Sequence, residues 1–148
     1  FDSVIISVFQ ESLKSVITSL LYTDVSPKKK FILTFNQWFD ESLLKEESLQ
    51  PIYYPSINKK NLERFKNKYF EEFNTYPSYL SLLSYDLVGL IYYLSLNNEI
   101  TDLSKLFKKK NSFKGKMGVF EIENNNINHK LNLYKVSEGK LKEIFWFF

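Results

Sequence analysis

The sequence predicts an α/β fold in which parallel βαβ units lead into a group of helices and end in an antiparallel C-terminal meander. Three observations carry this. Val4-Ile-Ile-Ser7 and Phe31-Ile-Leu-Thr-Phe35 are short apolar runs of the kind that fills a parallel sheet covered on both faces. Between and after them, apolar residues recur at helical spacing. Beyond residue 118 the period changes to two, punctuated by turn signals at 124–126 and at Glu138-Gly139.

Taken in order, the first strand is followed by Leu13, Val16, Ile17, Leu20 and Leu21 on one helical face. Asp24-Val-Ser-Pro27 breaks that helix, Lys28 to Lys30 make a solvated approach, and Phe31 to Phe35 returns as the second strand, a βαβ unit with the usual right-handed crossover expected. Residues 36–50 read as a polar-aromatic loop with one helical turn over 41–45. Ile52-Tyr-Tyr54 lies between Pro51 and Pro55 and is expected to be an edge strand, because proline cannot donate to a ladder. Leu62, Phe65, Tyr69 and Phe73 form one stripe of an exposed helix whose wet side carries Lys59, Lys60, Glu63, Lys66 and Glu71. Asn74-Thr-Tyr-Pro77 ends it. Ser78 then caps a longer helix in which Leu82, Leu83, Val88, Leu90, Ile91 and Leu94 leave few polar faces, so it is expected to pack on several sides at the centre of the core. A short helix over 102–108, capped by Asp102, and a charged connector over 108–111 precede strands expected over 119–122, 131–136 and 141–145.

A chain of 148 residues has the size of one domain and can bury roughly two thirds of the surface its unfolded form exposes. Its formal charge of +3 comes almost entirely from lysine, Arg64 being the only arginine, and alanine is absent. Abundant Lys, Asn, Ile, Phe and Tyr are what an AT-rich genome favours. Readers of nucleic acid lean on arginine and concentrate charge on one face, so no nucleic-acid partner is expected. Without cysteine, disulfides, thiolate nucleophiles and Cys-based zinc sites are excluded from this segment. The longest apolar stretch, Tyr79–Leu96, is interrupted by Ser81, Ser84, Asp86 and Gly89, so no transmembrane segment is expected.

In open α/β sheets ligands bind outside the carboxyl ends of the strands, which singles out the loops after Ile6 and Phe35. Ser7, Asn36 and Gln37 can exchange hydrogen bonds with a polar ligand, beside Gln10, while Phe9 and Trp38 offer aromatic walls or simply pack the surface. Asp86 is the one charge inside an apolar helix and is expected to accept hydrogen bonds from a neighbouring loop. His129, the only histidine, reads as a solvent-exposed turn residue. Gly115 and Gly118 suggest a tight backbone bend, since neither the dinucleotide fingerprint nor a phosphate loop is present. No catalytic residue, metal ligand or cofactor site is expected, and the chain reads as non-enzymatic.

Four features in sequence order carry a resemblance that covers nearly the whole chain: Phe1-Asp2-Ser-Val-Ile before a helix; Asn36-Gln-Trp38-Phe-Asp40-Glu-Ser-Leu after a strand; Tyr69 with Tyr76-Pro77 and Ser84-Tyr85-Asp86-Leu-Val88; and Phe113-Lys-Gly115-Lys-Met-Gly118-Val-Phe120. In these the chain resembles the type 1 periplasmic binding proteins, the group of the leucine/isoleucine/valine-binding proteins, and most closely their proteobacterial penicillin-binding protein activator branch. The resemblance implies the C-terminal portion of a two-lobed fold: residues 1–57 would end the second lobe as βαβ plus an edge strand, 58–130 would return to the first lobe, and 131–148 would form crossing strands. The chain opens on a strand with no lead-in and is expected to be a fragment that exposes apolar edges. A small polar ligand would lie in the cleft between lobes, with Ser81, at the start of the longer helix, facing it unless it serves only the Ser78 cap. Amino-acid binders of this group hold the ligand's ammonium with an acid where Asn36 stands, and Asp40 or Glu41 would have to replace it. The resemblance further implies a periplasmic protein anchored to the outer membrane by an upstream lipid. Its partner would be a peptidoglycan synthase of the penicillin-binding class or, alternatively, the permease of an ABC importer for amino acids or similar solutes. A receptor's ligand-sensing domain is a third possibility.

Overall fold

The computed structural model describes residues 1–8, 11–23, 25–35, 45, 47–96, 103–108 and 110–145. In chain order the elements are β1 (Ser3–Ile6), α1 (Glu11–Leu20), β2 (Phe31–Thr34), β3 (Ile52–Ser56), α2 (Lys59–Phe73), α3 (Tyr79–Leu96), α4 (Leu103–Lys108), β4 (Asn111–Lys114), β5 (Val119–Glu123), β6 (Asn126–Lys130), β7 (Asn132–Ser137) and β8 (Lys140–Phe145). They gather into two compact units, one holding Phe1–Ser56 and the strands from Asn132 onward, the other Ile57–Leu131.

The first unit is built on a five-stranded sheet in the order β1-β2-β3-β7-β8. β1, β2 and β3 are parallel, with Ser3 to Ile6 paired to Phe31 to Thr34 and Ile32 and Leu33 paired to Ile52 and Tyr53. Apolar positions two apart on each strand reach one face, where Ile6, Ile32 and Ile52 close over Leu13 and Ile17 of α1. β7 and β8 then add antiparallel strands to the far side of β3. Tyr54 stacks on its cross-strand partner Tyr134, 5.8 Å between ring centroids, beside Val136. The β7–β8 hairpin turns at Glu138 and Gly139, both at positive φ as a two-residue hairpin loop requires. Gly139 N–H donates to the Gln50 side-chain carbonyl at 3.0 Å, which fastens this turn to the start of β3.

β3 is therefore an interior strand, where the flanking prolines predicted an edge. Pro51 precedes the strand, and Pro55 lies past the last residue that β2 pairs, so a missing N–H on that side interrupts no ladder bond. The tail differs in a second way. It does not form one meander: β4, β5 and β6 make a separate sheet in the second unit, while β7 and β8 join the first. β4 and β6 are polar sequences, Asn-Ser-Phe-Lys and Asn-Ile-Asn-His-Lys, that become strands by pairing with β5.

In the second unit α2 starts on Asn58, whose side chain accepts from Asn61 N–H at 3.1 Å, and ends on Asn74 in the left-handed conformation. None of its residues is buried; Phe65 meets Tyr85 of α3 edge-on at 5.0 Å. α3 is capped by Ser78, whose hydroxyl accepts from Ser81 N–H at 3.2 Å. The sequence predicts packing of this helix on several sides, yet among its described residues only the stripe Leu82, Asp86, Leu90 and Leu94 is buried, and Leu80, Leu83, Val88 and Tyr92 are exposed. Leu90 and Leu94 pack on Ile122 of β5, with Phe107 and Phe113 around them.

Asp86, 4% exposed, accepts 2.8 Å hydrogen bonds from the N–H groups of both Lys116 and Met117 in the β4–β5 turn. That turn is closed by Gly115 N–H on the Gly118 carbonyl, also 2.8 Å. A Cβ at residue 115 would stand 2.4 Å from an Asp86 carboxylate oxygen, so only glycine lets the backbone come this close. Hydrogen bonds to a charged group contribute about 1.5–3 kcal/mol each. Asp86→Ala is accordingly expected to lose about 3 kcal/mol or more, leaving two orphaned N–H groups, and Gly115→Ala to destabilise in the same direction; urea denaturation of each variant measures both.

Candidate functional site

The carboxyl ends of β1 and β2 lie side by side, because Ile6 pairs with Thr34. Ser7 follows Ile6 and is exposed; Phe35 follows Thr34 and is exposed as well. Thr34 itself is 2% exposed, and its hydroxyl oxygen is buried without a hydrogen-bond partner among the described residues. A buried hydroxyl ordinarily finds a partner, since leaving it unmet costs about 1–3 kcal/mol. Among the described residues Thr34 thus gives this end of the sheet a buried polar atom without a partner, and the exposed Ser7 follows its pairing partner Ile6.

The described residues here, Ile6, Ser7, Val8, Thr34 and Phe35, carry neither acid nor base. Charge sits at the amino end instead, where Lys30 lies 3.8 Å from Asp2 and also bonds the Phe1 carbonyl. In β3, burial together with the neighbouring Tyr134 pushes the Tyr54 phenol far above its ordinary ionisation range, so it remains a neutral hydroxyl. Such a surface suits hydrogen bonding to a polar ligand. Among the described residues no group of three or more His, Cys, Asp or Glu is placed to hold a metal ion.

Of the residues singled out by sequence, Ser7 is at this strand end, whereas Phe9, Gln10, Asn36, Gln37 and Trp38, together with Asp40 and Glu41, lie outside the described residues. Ser81 belongs to the other unit, where its hydroxyl is 2.9 Å from that of Ser78 and its N–H donates to the same cap. Its polar atoms are engaged in starting α3. Sequence reasoning misses Thr34, although it is the one polar residue in the run Phe31-Ile-Leu-Thr-Phe35, and that contrast is the signal that points to it. His129 corrects another expectation. It is half-buried in β6 and stacked on Phe120 with ring centroids 4.2 Å apart, because β5–β6 pairing places the two opposite each other.

Solved structures of other proteins share this architecture. An extracellular ligand binding receptor from Desulfohalobium retbaense matches 97% of this chain with a TM-score of 0.63 at 13% identity, the chain covering 26% of it. The leucine binding protein LivK from Thermotoga maritima matches 97% with a TM-score of 0.59 at 16% identity, 43% of it being covered. At such identities the likeness is one of fold: the chain has the fold of a portion of a type 1 periplasmic binding protein and spans less than half the length of either structure. No protein-family model matches the chain, and no curated protein matches it by sequence.

Thr34→Val keeps the side-chain shape and removes the unmet hydroxyl. It is expected to raise the stability of the ligand-free protein by about 1 kcal/mol, read as a higher urea midpoint at unchanged slope.

Proposed function

We propose that the chain is the trailing portion of an extracytoplasmic, non-enzymatic binding protein that holds a small polar solute at the carboxyl ends of β1 and β2. In this reading Phe1–Ser56 with β7 and β8 belongs to one lobe of a two-lobed protein, and Ile57–Leu131 to the other. The observation that carries it is the buried Thr34 hydroxyl, without a partner among the described residues, at the strand ends where open α/β sheets take their ligands. The fold shared with a ligand-binding receptor and a leucine binding protein supports the same class of function. Asn36 in place of an acid disfavours a free ammonium group as the anchor, so the ligand's contacts here would be hydrogen bonds to neutral groups.

A second reading has one observation in its favour. Phe73 at the end of α2, Tyr76 in the connection and Leu80, Leu83, Leu87 and Val88 of α3 are all exposed, which suits an envelope lipoprotein that regulates a peptidoglycan synthase by contact. Thermal-shift screening of the intact protein against amino acids and related solutes separates the two. A solute at a hundred times its Kd stabilises the folded form by about 2.7 kcal/mol, and Thr34→Val or Ser7→Ala is expected to diminish that shift. If no solute moves the midpoint while the intact protein captures a penicillin-binding protein in a pull-down, solute binding is refuted and the regulator reading stands.

A further inference from the structure

The β4–β5 turn that serves Asp86 is also in contact with the chain's single histidine. His129 Nε2 is buried without a hydrogen-bond partner among the described residues. A Cβ at residue 118 would stand 2.6 Å from that nitrogen, so the imidazole edge rests directly on the Gly118 backbone, which adopts a φ of 152°. Gly118 closes the turn onto Gly115, and the two residues between them donate to Asp86. One short turn is thus held by a carboxylate and pressed by an imidazole. Phe120, on which His129 stacks, lies on the same face of β5 as Ile122, the face that packs on α3.

We infer that His129 is an acid-sensitive latch: its protonation opens the β4–β5 turn and loosens the grip of that turn on Asp86. A neutral imidazole tolerates an unpaired Nε2 in this position, whereas an imidazolium adds a charge and an N–H that burial disfavours. The Gly118 backbone is in contact with that ring edge and leaves no room for a water between them. Asp86 from α3 acts on it electrostatically; the other charged groups on the adjoining elements are Lys116 in the turn, Lys114 at the end of β4, and the Glu121–Lys130 pair across β5 and β6, which lies on the other face of the sheet at 2.5 Å. Burial lowers the imidazole's proton affinity, and a hydrogen bond to the Met117 backbone and the Asp86 charge oppose it to a lesser extent. An opened turn therefore binds the proton more readily than the closed one. Closure is fully stable above about pH 6.5, the ordinary histidine value, and weakens as pH falls from there through the depressed one.

Amide hydrogen exchange of the full chain at about pH 7.5 and 5.5, corrected for intrinsic rates, reads the Lys116 and Met117 amides directly. Their protection is expected to fall about fivefold or more on acidification, while His129→Gln shows no greater change there than in β1 and β2. Equal loss in wild type and variant, or no loss in wild type, overturns the latch. An NMR titration of His129 Hε1 in the unmutated chain gives an independent reading: a midpoint below the ordinary histidine value supports the latch, and one at or above it refutes it.

Discussion

A buried carboxylate has to be met by donors, and much of the Ile57–Leu131 unit follows from how Asp86 meets them. Standing in the middle of an apolar helix stripe, it takes two backbone N–H groups from the β4–β5 turn. Backbone donors reach a side chain on a neighbouring helix only if the loop comes very close, which explains Gly115. The sheet β4-β5-β6 is therefore docked on α3 by a polar clamp at one end and by Leu90, Leu94 and Ile122 at the other. The clamp supplies register and the apolar cluster supplies the larger share of area removed from water.

The other unit follows a different constraint. Parallel strands gain their hydrogen bonds from one another and are ordinarily covered on both faces. Here α1 covers the face of Ile6, Ile32 and Ile52, while Ile5 and Phe31, on the opposite face, are 62% and 58% exposed. Antiparallel β7 and β8 extend the sheet beyond β3, so its edges are β1 and β8. The strand ends are where polar side chains enter, Thr34 and Ser7 at the carboxyl end and the Asp2–Lys30 pair at the amino end.

Much of the local structure was legible. The apolar runs and the 13, 16, 17, 20 spacing specify β1, α1 and β2, because burial of one face dictates periodicity. Asn74 marks a helix end through its left-handed backbone and Ser78 a helix start through a side chain that bonds the nearest backbone, and Asn124, Asn125, Glu138 and Gly139 stand at turns with positive φ. For the candidate site, Ser7 was legible from its place after an apolar run. Thr34 was not, because whether a hydroxyl within a strand finds a partner depends on neighbours distant in sequence.

The sequence by itself determined the helices, the Ser78 cap and the Asn74 end, the parallel β1–β2 pair, the hairpin turns and the need of Asp86 for donors, all of which rest on groups within a few residues or on one-face periodicity. Only the tertiary structure decided that β3 is interior, that β4 and β6 are strands, that the tail is divided between two sheets, which loop answers Asp86, and that His129 is covered. Those features depend on pairing and burial between segments far apart in the chain, and no local pattern encodes a partner across that distance.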